Sequence, residues 1–101
     1  MGFTILTPDK HDFRPPSWRP EEPARRIVEL PLHAHMRHSR AHLWRYPPGV
    51  KGRLHKEYSQ EEVFVVVEPG TPLRWQNDSD ADALIFAYGA PAESKSEILE
   101  S

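Results

Sequence analysis

Residues Pro48 to Glu68 read PGVKGRLHKEYSQEEVFVVVE, and their two halves differ in kind. The second half ends in Val63-Phe64-Val65-Val66-Val67, a β-branched run apolar on both faces. Such a run predicts a strand buried within the core rather than a half-solvated one. The first half carries His55 and Glu57 two residues apart. On a strand this spacing sends both side chains to one face, and a third ligand from the next strand, Glu62, would complete a set around one cation.

Working outward, Leu73 to Asn77 and Ala83 to Tyr88 read as two further strands joined by the polar turn Asp78-Ser79-Asp80-Ala81-Asp82. Upstream, Ala41 to Tyr46 predicts a strand closed by Pro47-Pro48-Gly49. Ala24 to Leu32 fits a strand or a helix cut short at Pro31. Residues 1–23 read as an extended arm, with four prolines around Trp18 and that tryptophan as its anchor. Residues 92–101 form a polar tail expected to fray.

Composition narrows the function. With 101 residues only one core is affordable, so residues 1–101 are expected to form one domain. Eleven prolines argue against a helical bundle, and an all-β architecture is the expectation. Thirteen basic and fifteen acidic residues give a net charge of −2, which supplies no field for holding nucleic acid. Without cysteine there is no disulfide, thiol nucleophile or thiolate metal site, and the available metal ligands are His, Asp and Glu. No stretch reaches the roughly 20 apolar residues of a membrane span, so a cytoplasmic protein without membrane contact is the expectation.

The spacing in Gly49 to Glu68 resembles the first motif of the cupin superfamily: a glycine, five residues, His-x-His, and a glutamate after three or four more. Gly49, His55 and Glu62 stand at those positions, with Glu57 where the second histidine usually stands. Pro69 to Asn77, PGTPLRWQN, resembles the second motif; Gly70 and Asn77 match, and Leu73 occupies the histidine position. The resemblance, to small bacterial-type members, implies an antiparallel cupin-type β-barrel, the double-stranded β-helix or jelly roll. It also implies a metal site of His55, Glu57 and Glu62 holding Mn, Fe or Zn, and a small-molecule substrate. One imidazole with two carboxylates suits hard divalent ions better than copper.

Two functions follow. One is a metal-dependent small-molecule enzyme using that ion. The other is a non-catalytic binding or sensing domain whose apolar pocket, lined by Phe64, Leu73, Trp75 and Phe86, holds a small ligand without metal. Taken by themselves, Lys56, Glu57, Glu61 and Glu62 also read as a solvated charge run with His55 on the surface. His33, His35, His38 and His42 are read as part of a polar loop, with a second metal site as the alternative. Relative to the family, about two strands of the usual five or six residues are missing between Glu68 and Pro69, so the barrel is expected to be incomplete. The sheet edge this would uncover predicts a homodimer.

Overall fold

The computed structural model describes residues 5–57, 61–63, 66–67, 69–70, 72–90, 92 and 95–101. The chain is built of strands and almost no helix. In order they are β1 (Arg26–Glu29), α1 (Leu30–Ala34), β2 (Arg40–Tyr46), β3 (Leu54–Glu57), β4 (Glu61–Val63), β5 (Val66–Val67), β6 (Pro72–Leu73), β7 (Ala83–Ala90) and β8 (Ser96–Glu100). The strands make two sheets, a five-stranded one in the order β1-β2-β7-β4-β5 and a three-stranded one in the order β6-β3-β8. All the pairings are antiparallel. Among the described residues no helix is long and apolar enough to cross a membrane.

The stretch that fits both strand and helix resolves into one after the other. Ile27 and Val28 are β-branched, point to opposite faces of β1 and are each only 2% exposed, so the strand is buried on both sides. Burying each side chain stabilises by about 1.5–3 kcal/mol. Pro31 then falls in the first turn of α1, where its missing N–H costs nothing. One turn later His35 takes a left-handed conformation, φ 54°, and ends the helix.

Three expectations are corrected. The run Val63 to Val67 is not one central strand: Val63 pairs with Val66 and Glu62 with Val67, so the chain reverses there, and β5 lies at the edge of its sheet. Residues 64 and 65 between them lie outside the described residues. Among the residues whose burial is described, the apolar core is Ile27, Val28, Ala41 and Tyr46 on β1 and β2. The C-terminal tail does not fray throughout, because Ser96–Glu100 form β8 and pair with β3 from Leu54 to Glu57. It lies at a sheet edge, where all five of its residues are exposed, Ile98 and Leu99 included. Leu73 to Asn77 is strand only at Pro72–Leu73, although Gln76 makes an isolated bridge with Lys51.

Residues 5–25 carry turns and a single bridge, Arg14 to Ile27. Besides that bridge, further contacts tie this arm to the sheets. Pro16 is fully buried, and Ser17 donates from its backbone and its hydroxyl to the Glu29 carboxylate at 3.1 and 2.7 Å.

Candidate functional site

β2 and β7 are paired over their full length, with Trp44 opposite Ile85, His42 opposite Ala87 and Arg40 opposite Gly89. Alternation sends Arg40, His42, Trp44 and Tyr46 to one face of β2. Large side chains on β2 thus stand beside small ones on β7. The space so left is a cavity of about 460 Å³, within the usual range for small-ligand sites. From the other sheet β3 contributes His55 and β8 contributes Ser96 and Ile98, while Arg53 and Trp75 come from the adjoining loops. Trp18 and Arg25, from the N-terminal segment, complete the lining.

One wall is an aromatic column. The Trp18 ring lies 5.5 Å from His42, tilted by 32°, and 6.1 Å from Trp44 nearly edge-on; Trp44 meets Tyr46 edge to face at 6.0 Å. Such edge contacts suit the ring quadrupoles. Trp18, though 47% exposed, is therefore held as part of the wall and stands where the cavity meets solvent.

The wall is also cationic. The Arg25 guanidinium lies 4.8 Å from the Trp44 centroid and 5.7 Å from that of Tyr46, and Arg40 lies 5.9 Å from Trp18. Arg25 is neutralised by Glu22: its Nη2 and Nε donate to Oε1 at 2.7 and 3.0 Å, and its Nη1 donates to the Tyr46 hydroxyl at 3.3 Å. Burial alone would raise the Glu22 pKa. The Arg25 side chain, the backbone N–H groups of Arg25 and Ala24, and the Arg25 charge outweigh it and hold the carboxyl at about 2. Arg40 and Arg53 have no carboxylate partner among the described residues. Arg53 also feels, after its own partial desolvation, the like charges of Arg19 and Arg25. Burial, followed by the Arg40 charge, lowers the His42 pKa to about 4, so its imidazole is neutral near pH 7.

Arg25 and Tyr46 owe their positions to a close approach. Gly52 donates to the Trp75 carbonyl at 2.7 Å, and a Cβ placed on it would stand 2.5 Å from the Tyr46 hydroxyl and 3.3 Å from Arg25 Nη1. Only glycine leaves room there.

The residues singled out in the sequence divide as follows. His55 lines the cavity, and its Nδ1 lies 3.0 Å from the Arg53 carbonyl. Since a carbonyl only accepts, that contact requires Nδ1 to carry the proton, which leaves Nε2 as the ring's free lone pair. Glu57 lies on β3 and Glu62 on β4 of the other sheet; their side chains are outside the described ones. Among the described residues no three His, Asp or Glu side chains are grouped as metal ligands. Trp75 lines the cavity, while Leu73 is the direct cross-strand partner of His55. Phe86 pairs with Leu43 on the opposite face of β7 from Ile85 and Ala87, and it is 45% exposed. Phe64 lies outside the described residues. Of the loop histidines, His33 lies in α1 and His42 on β2.

The cavity's main residues, Arg40, His42, Trp44 and Tyr46, were not singled out as a ligand-binding set. Their i, i+2 spacing in the predicted strand was the available signal, and it reads equally well as core. Arg25, Arg53 and Trp18 carry no local signal, because loops bring them in from elsewhere in the chain.

The chain matches no protein-family model, no curated protein and no solved structure.

Proposed function

We propose that this chain is a small-ligand-binding domain of cupin type, with the cavity between its two sheets as the binding site. The observation that carries the reading is the cavity itself, about 460 Å³, walled by tryptophans and lined by two arginines, Arg40 and Arg53, with no carboxylate partner among the described residues. A polar and aromatic enclosure of this size is what small-molecule recognition requires. Support for the cupin-type part comes from the pairing of the two motif segments. Gly49 and Val50 bond to Asn77, Gly52 to Trp75, and His55 and Lys56 pair with Leu73 and Pro72.

Nuclear magnetic resonance of the three indole N–H groups, Trp18, Trp44 and Trp75, against a mixed library of neutral, cationic and anionic fragments tests the reading. Binders are expected to shift all three together. A library that moves none of them removes the ligand-binding reading.

A metal-dependent small-molecule enzyme is the second reading, and His55 favours it. Its Nδ1 contact to a backbone carbonyl is the kind that orients a metal-ligating imidazole and frees Nε2 for the ion. In this reading His55, Glu57 and Glu62 hold Mn, Fe or Zn, which would supply Lewis-acid chemistry beside the cavity. Metal analysis of protein purified without chelator or histidine tag separates the two readings.

A further inference from the structure

Resting on the small-ligand reading of the cavity, we propose that its ligand is a planar aromatic molecule carrying a carboxylate, its ring set against the Trp18–Trp44–Tyr46 wall and its carboxylate held by Arg40 and Arg53.

The charge of the lining points to an anion. Three arginines and no carboxylate line the cavity among the described residues. Of these three, Arg25 is the one in contact with a described carboxylate, Glu22 at 2.7 Å, which also pairs with Arg19 at 3.2 Å. Arg40 and Arg53 have no carboxylate in contact among the described residues, and a lining of that sign attracts an anion.

The placing of the arginines points to a carboxylate with a flat ring attached. Arg40 lies over the Trp18 ring at 5.9 Å. A guanidinium in that position interacts through its face and keeps its in-plane N–H donors for another partner. Those donors match a carboxylate in a two-bond fork, which an ammonium would not provide. Arg25 shows the arrangement already filled within the protein: it packs over Trp44 and Tyr46 while its edge donates to the Glu22 carboxylate. Arg40 repeats the aromatic half of that arrangement and, among the described residues, has no carboxylate for the other half. The ring of the ligand is called for by the tryptophans, because Trp18, partly exposed where the cavity opens, offers a flat surface at low entropic cost.

Calorimetric titration of the full chain with indole-3-acetate, and with its two halves indole and acetate, tests this. Indole-3-acetate is expected to bind at least about tenfold more tightly than either half, and Arg40→Gln and Arg53→Gln each to weaken it by about tenfold, the scale of one charge-assisted contact. Thermal melts of both variants, with unchanged tryptophan shifts, establish that they fold. If indole binds as tightly as indole-3-acetate, or if the arginine variants bind indole-3-acetate unchanged, the carboxylate is not recognised and the inference is overturned. If none of the three compounds binds, the inference also falls. In each of these cases the small-ligand reading stands or falls separately on the fragment library.

Discussion

His55 on β3 and Leu73 on β6 are direct cross-strand partners in an antiparallel pair, so their side chains leave the sheet side by side on one face. Residues paired in this way have Cβ atoms roughly 4.5–5.5 Å apart, a separation at which two imidazoles reach one ion.

Leu73→His is therefore expected to create a two-histidine site and to raise affinity for zinc and manganese. The new ring would stand beside the free Nε2 of His55. Because both rings share one ion, the gain should vanish in the double variant His55→Ala with Leu73→His. Calorimetric titration of the two variants and the parent checks this. Equal metal affinity in parent and folded Leu73→His would mean that this face of the small sheet takes no ion.

The Glu22–Arg25 pair sets one pH limit on stability. The folded protein keeps Glu22 ionised down to about 2, against an ordinary value of 4.5. Between those values the unfolded chain binds the proton more readily, so this contribution is complete above pH 4.5 and is lost as pH falls toward 2. Glu22→Gln leaves the Arg25 charge buried without its partner and should cost about 3–5 kcal/mol in denaturant unfolding at neutral pH. The variant's stability should then depend less on pH in that window.

Asn77 shows what the second motif contributes. The residue is buried; its Nδ2 donates to the carbonyls of Tyr46 and Ala81 at 2.9 and 2.7 Å, and its Oδ1 accepts from the Ser79 amide and hydroxyl at 3.0 and 2.6 Å. Its backbone bonds to Gly49 and Val50 of the first motif. Asn77→Leu removes the Nδ2 donor from the Tyr46 carbonyl at the buried end of β2 and is expected to destabilise by about 1–3 kcal/mol. Gly52→Ala, which forces apart Tyr46 and Arg25, should destabilise as well and also disturb the tryptophan resonances of the cavity. Chemical denaturation of both variants, compared with an exposed control such as Ser101→Ala, measures the effect.

The strands legible in the sequence were those with local alternation or a closing turn, such as β2 before Pro47-Pro48-Gly49 and β7 after the Asp78–Asp82 turn. β8 was not legible, because Ser96–Glu100 lies at an edge and shows no alternation of apolar and polar residues; its strand character comes from pairing with β3. The reversal at Val63–Val66 was hidden for a related reason, since a continuous β-branched run carries no turn residue to mark it. For the site, His55 and Trp75 could be picked out by motif and residue type. Arg25, Arg53 and Trp18 could not, because only the folded chain brings residues 18, 25 and 53 to the face of β2.

His42 sets a second pH limit, distinct from that of Glu22. Its ring packs against both Trp18 and Trp44, and Arg40 stands two residues away on the same face, so both burial and a like charge oppose protonation. The folded value is about 4 against an ordinary 6.5. Between pH 6.5 and 4 the unfolded chain takes up a proton that the folded chain refuses, and stability should decline as pH falls through that interval. The decline is at most about 1.4 kcal/mol per pH unit, the value of one proton. His42→Phe keeps a flat ring against the tryptophans and has nothing to titrate. Its stability is therefore expected to stay level from pH 6.5 to about 4.5, where Glu22 begins to act, while the parent's falls. Parallel urea titrations across this range, with the His42 imidazole followed by nitrogen NMR, check both halves. An imidazole that titrates near 6.5 in the folded protein would mean that His42 is solvated, and the aromatic wall of the cavity would then be open on that side.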